Sequence, residues 1–97
     1  MSITVSAPVW LWNADKGTWH FLTISADDAV EIRMMSAGNR RGFGSVKVLA
    51  QIGATSWQTS LFPSRETGGY ILPIKADVRR REGIEAGDEV LVEVDVI

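Results

Sequence analysis

The stretch Gly38-Asn39-Arg40-Arg41-Gly42-Phe43-Gly44-Ser45 sets two guanidinium groups among glycines. Glycine frees the backbone to turn N–H groups toward an anion, and arginine adds a fixed charge in a planar fork, so this loop is the first candidate for a ligand contact. It is not a Walker loop. The Gly-Lys-Ser/Thr ending is missing, and the helix expected nearby precedes the loop instead of following it. A second basic cluster is Lys75, Arg79, Arg80 and Arg81. Arginines in a last helical turn favour the negative helix end by about 0.3–1 kcal/mol, which accounts for part of their presence. Three consecutive arginines cannot share one helix face, so at least one meets water.

Other reactive side chains are sparse. His20 is the single histidine and cysteine is absent, whereas metal sites combine several such ligands. Ser45, Ser60 and Ser64 lack a nucleophile elbow, and His20 is the only conventional base available to them. Asp27 and Asp28 fall where a helix start would use them as caps. The expectation is therefore no catalytic residue, no metal, no cofactor and no enzyme. Trp10, Trp12, Trp19 and Trp57 all fall on strand-like segments, where core and cross-strand roles come first. Trp10 and Trp12 share one strand face, which leaves room for an aromatic ledge or an apolar cleft.

These residues are positioned by six expected strands and two short helices. Val46, Val48, Ala50 and Ile52, then Val90, Val92, Val94 and Val96, recur at period two with polar residues between them, the pattern of half-buried strands. Val9–Trp12, Trp19–Ile24 and Trp57–Phe62 are aromatic and β-branched, and Tyr70–Ile74 carries Pro73, which belongs at a strand end or edge. A helix is expected from Ser25 as N-cap to a stop at Gly38, and another over about 76–82 ending at Gly83. Aligned with itself at an offset of 50, the chain pairs Leu11 with Leu61, Trp12 with Phe62, Leu22 with Leu72, Ile24 with Ile74 and Asp27 with Asp77; at an offset of 44, Val46 pairs with Val90 and Val48 with Val92. Two copies of a strand-turn-strand-helix-strand unit, about 6–53 and 56–97, can close on each other as one β-dominated barrel that removes exposed edges.

Length and charge bound the rest. The chain has room for one domain, and a hydrophobic fraction of 45% supplies a core without staples. Residues 1–6 carry no basic segment or signal-like apolar run, and no stretch reaches the length of about 20 apolar residues that a membrane helix needs, so a cytoplasmic protein without membrane contact is expected. A net charge of −2 lacks the basic excess of a domain that grips phosphate backbones, which disfavours nucleic acid.

Leu72-Pro73-Ile74-Lys75-Ala76-Asp77-Val78-Arg79, with Gly83-Ile84 and the Gly87-Asp88 turn before a valine-rich strand, resembles the swapped-hairpin unit of AbrB-like regulators and MazE-type antitoxins. That resemblance implies that Arg79 packs inward. A broader likeness rests on Arg41-Gly42-Phe43-Gly44-Ser45-Val46, Trp57 to Pro63, Tyr70-Ile71-Leu72-Pro73 and the same turn. These look like an uncharacterised bacterial domain family, number nineteen-oh-five in the domain-of-unknown-function series. The resemblance implies an all-β, double-split β-barrel with both halves in one chain and two short helices, for which a monomer suffices. The expected function is a non-enzymatic binding or interaction module for a small ligand or protein partner, with contacts from Arg40, Arg41, Gly42, Phe43, Gly44, Trp57, Ser60, Arg79, Arg80 and Arg81. An AbrB-like DNA-binding domain is the second reading and a small enzyme the third.

Overall fold

The computed structural model describes residues 2–13, 17–37 and 44–97, together with the backbone of Ala14. Strand β1 (Ser2–Ala14) begins several residues before the first strand expected at Val9. Ile3, Val5, Ala7 and Val9 alternate with polar neighbours, and the first two and Val9 are buried, so the period-two pattern extends to the chain start. Pro8 sits inside this strand without breaking the sheet because β1 changes partner there. Residues 2–8 pair with β6 (Glu89–Val96) and 9–14 with β2 (Gly17–Ile24). A proline lacks the N–H that a ladder needs and is tolerated where one pairing ends. Immediately afterwards the Gly87-Asp88 turn grips the strand: Val9 N–H donates to Asp88 O at 2.9 Å and Gly87 N–H donates to Val9 O at 2.8 Å. Gly87 needs its positive φ of 94° for this turn, and the Asp88 carboxylate accepts from the Glu85 N–H at 2.8 Å.

The remaining strands are β3 (Val46–Ile52), β4 (Thr55–Pro63) and β5 (Tyr70–Pro73), and all six close into a barrel in the order β1-β2-β5-β4-β3-β6. Every neighbouring pair is antiparallel. Exchanging β1 with β4, β2 with β5 and β3 with β6 maps this order onto itself, which is the pseudo-twofold arrangement expected from the internal repeat. Register locates the axis. Leu22 lies opposite Leu72 across the β2–β5 pair, and Ala50 lies opposite Val94 across the β3–β6 pair. Each is a pair of repeat mates, at the offsets of 50 and 44 respectively. All four side chains are fully buried, so the dyad runs through the centre of the core, from one sheet face to the other.

One part of the repeat alignment shifts. Trp10 lies opposite Phe21, and Phe62 lies opposite Ile71, the repeat mate of Phe21. Phe62 therefore corresponds to Trp10 and not to Trp12, and the buried Leu61 corresponds to the buried Val9 and not to the exposed Leu11. The connection from Trp10 to Phe21 is two residues longer than that from Phe62 to Ile71. Because Leu11 and Trp12 are both apolar and both exposed, the hydrophobic pattern could not expose the slip.

Helix α1 (Ala26–Met35) starts as expected: the Ser25 Oγ accepts from the Asp28 N–H at 3.2 Å and donates to the Asp28 carboxylate at 3.3 Å. It ends with the Ser36 N–H donating to Ile32 O, whereas the expected stop, Gly38, lies outside the described residues. Ala29 and Ile32 face the core, while Val30 and Met34 are exposed. Helix α2 (Ala76–Glu82) ends at Gly83 in a left-handed conformation, φ 64°, and buries Val78. No helix among the described residues is long and apolar enough to cross a membrane.

Candidate functional site

Past Pro73 strand β5 stops, but its partner β2 continues back through His20, Trp19 and Thr18 toward the hairpin end. The chain leaving β5 makes one more sheet-like bond, from the Ile74 N–H to His20 O at 2.9 Å, then turns at Lys75 into α2. A cleft of about 370 Å³ opens between the free flank of β2 and the start of α2. Its ionisable lining groups are His20, Lys75 and Arg79, with Thr18 and Trp19 along the strand side. The Trp19 indole is 54% exposed and stacks nearly parallel to Phe21, with planes 8° apart and ring centres at 6.3 Å.

Helical geometry brings Arg79 to this cleft: it lies one turn after Lys75, whose carbonyl accepts from the Arg79 N–H at 3.0 Å. The guanidinium is half-buried and held at two points. Its Nε donates to Ile74 O at 3.4 Å, and Nη1 lies 3.4 Å from His20 Nε2. A guanidinium only donates, so His20 Nε2 is the acceptor and the imidazole proton sits on Nδ1. Among the described residues no acceptor reaches that buried Nδ1. Burial and, after it, the Arg79 charge hold the His20 pKa below its ordinary 6.5, so the ring is neutral near pH 7. The cleft thus presents an anchored guanidinium, an ammonium and a neutral imidazole, a set that receives negative charge.

The matching place across the dyad is closed. Tyr70 is the repeat mate of His20, and it too lies under an arginine: the Arg33 guanidinium sits 5.7 Å from its ring centre. There the Arg33 Nη2 donates to Gly68 O at 2.7 Å. Gly68 and Gly69 occupy the position that Thr18 and Trp19 hold in the first half, and they pack directly on Ile24, Ser25 and Ala26, the mates of Ile74, Lys75 and Ala76. A backbone segment fills one copy of the site, and the other copy is open.

The residues expected from sequence do not all converge. Arg40, Arg41, Gly42 and Phe43 lie outside the described residues. Gly44 adopts φ 76° and lies beside Pro63 at the end of β4. Ser60 is half-buried on β4 opposite Lys47. Trp57 belongs to the core cluster, with its buried Nε1 unmatched by an acceptor among the described residues; the inward position follows from alternation with exposed Ser56 and Gln58. Arg80 and Arg81 are exposed on α2, leaving Arg79 as the member of the set that enters the cleft, packed inward. The sequence puts a core or cross-strand role first for Trp19 and gives His20 no ligand role, yet it carries a signal for them: a repeat offset of 50 combined with an antiparallel central pair puts His20 against Ile74, at the mouth of α2. Among the described residues, no group of three or more His, Asp or Glu gathers to hold a metal ion.

The profile of a family described as a domain of unknown function, DUF1905, covers residues 6–94. No curated protein matches the chain.

Proposed function

This chain belongs to the DUF1905 family, a domain of unknown function, and we propose that it is a non-enzymatic binding module that takes a small anionic ligand between β2 and α2. The observation that carries this reading is the asymmetry of the dyad. The Gly68-Gly69 backbone seals one copy and gives Arg33 its carbonyl acceptor, while the other copy leaves Arg79, Lys75 and His20 around an open volume. A carboxylate or phosphate oxygen supplies there what Gly68 O supplies across the axis.

Titration with inorganic phosphate and with acetate, followed by amide and side-chain NMR, tests this. Saturable shifts are expected at Trp19, His20 and Arg79, and Arg79→Ala weakens binding at least about tenfold, the loss of one charge-assisted contact. An anion beside Arg79 offsets the field on the imidazole and raises the His20 pKa from its lowered value, so binding takes up a proton, and acetate, which keeps its charge near neutral pH, binds more tightly as pH falls toward the raised value. Without ligand the sign reverses for the fold itself. The lowered His20 pKa means that the unfolded chain protonates first, and stability present above pH 6.5 is lost as pH falls toward the folded value. An acetate affinity that weakens as pH falls while the His20 ring gains its proton, or no saturation up to about 20 mM of either anion, removes the reading.

The reading includes a monomer. Both repeat units lie in one chain and β1 closes the barrel against β6 of the same chain. Sedimentation is expected to give a single 10.6 kDa species, and a thermal midpoint that rises with protein concentration would contradict it.

DNA binding is the reading displaced. α2 carries exposed Arg80 and Arg81, but their repeat mates on α1 are Val30 and Glu31, so a duplex would meet a basic patch on one helix and no matching patch on the other. A gel shift that weakens steeply with salt would reinstate it.

A further inference from the structure

A second cleft, of about 440 Å³, lies on the outer side of β1, β2 and β5 and shares no lining residue with the first. Trp10, Trp12 and Ile71 supply its apolar surface. Trp10 and Trp12 are two residues apart on one strand face, and the Trp12 indole is 52% exposed, a large apolar surface that the fold does not use. Glu66 is the ionisable residue among those that line the cleft.

Each hydroxyl in its lining already accepts a hydrogen bond. Trp10 Nε1 donates to Thr23 Oγ1 at 2.8 Å, which fixes that indole. Ser64 Oγ accepts from the Thr67 N–H at 3.4 Å, and Thr67 Oγ1 accepts from the Gly69 N–H at 3.2 Å. What remains for a ligand is indole surface and a carboxylate. That combination suits a cation which asks for few hydrogen bonds. An ammonium with N–H groups loses water that this lining replaces poorly, whereas a fully alkylated nitrogen loses little and gains attraction from the aromatic rings and from Glu66. A volume of this size is ordinary for a small-molecule cleft, about 300–1,000 Å³.

We propose that the Trp10–Trp12–Glu66 cleft binds a quaternary ammonium group. The site stands whether or not the cleft beside α2 takes anions.

The test uses the intact chain and choline, with its neutral carbon isostere 3,3-dimethylbutan-1-ol and sodium chloride of equal ionic strength as controls, read by NMR at the Trp10 and Trp12 indole N–H signals. Choline is expected to saturate, and the isostere to bind at least about tenfold more weakly. Trp12→Ala lowers choline affinity by about tenfold, read at Trp10, and Trp12→Phe restores part of it; because the side chain is exposed, both variants keep the parent thermal midpoint. Glu66→Gln lowers affinity about threefold or more, and added salt reproduces part of that loss. A trimethyl-lysine peptide and phosphatidylcholine vesicles, each competed by choline, tell a protein source of the group from a lipid source, and binding of free choline alone assigns a solute. No saturation by choline, equal affinity for the isostere, or an unchanged affinity in Trp12→Ala overturns the proposal.

Discussion

Gly69→Ala is expected to destabilise the protein by about 3–4 kcal/mol, the largest effect of a methyl group added at any described glycine. A Cβ at this position would overlap the Ile24 carbonyl oxygen and stand 2.8 and 2.9 Å from the carbonyl carbon and oxygen of Ser25. These are backbone atoms, and the Ser25 oxygen accepts the first helical bond of α1, from the Ala29 N–H at 2.9 Å. Relief therefore demands movement of a strand end and a helix start together. The neighbouring Gly68→Ala serves as the comparison: its Cβ would meet only the Ala26 methyl, at 3.6 Å, and its cost is the left-handed φ of 77°, about 1 kcal/mol. Urea unfolding of the two variants separates the terms. Equal midpoints would show that the tight approach of Gly69 to β2 is not kept in solution, and the sealed half of the pseudo-symmetric pair would lose its explanation.

Truncating either residue on the dyad is expected to cost nearly as much. Leu22→Ala and Leu72→Ala each remove a fully buried side chain from the centre of the barrel, at about 3 kcal/mol apiece for lost transfer energy and the cavity left behind. The dyad adds a constraint: the two leucines face one another across β2 and β5, and their surroundings come from matched strands, so the two losses should agree within about 1 kcal/mol. Denaturant midpoints at unchanged slope measure both. A cost under about 1 kcal/mol at one of the pair, with the other at full value, would mean that the halves are not packed alike.

The fold was legible in the sequence wherever burial coincided with repetition. Leu22 with Leu72 and Val46 with Val90 repeat because both members of each pair lie in the core, and a core position tolerates few side-chain types. Legibility fails at the hairpin between β1 and β2, whose residues Leu11, Trp12 and Trp19 are large, apolar and exposed. With apolar residues at both 11 and 12, on opposite strand faces, period-two reading has no inward face to select, and the similarity of Leu11 to Leu61 then misplaces the equivalence by two positions. The short helix α1 shows the same limit, with Val30 and Met34 apolar yet on the outer side. As for the site, Arg79 was visible as one of three arginines in a row, and the spacing of Lys75 ahead of it places both on one helix turn. The volume beside them was not visible. It exists because β5 ends before β2 does, and it stands out because Gly68 and Gly69 fill its counterpart; both are facts about chain segments remote in sequence.

Joining two halves in a single polypeptide also changes what each is permitted to become. In an assembly of two identical subunits, any substitution that carves a cavity carves it twice, and any glycine pair that plugs one plugs both. Here the tandem arrangement released Thr18-Trp19 and Gly68-Gly69 from that obligation, so one half could become a lock while its sibling stayed a rivet. On the proposed reading, one polypeptide holds one occupant beside α2, and at fixed pH its titration curve is hyperbolic.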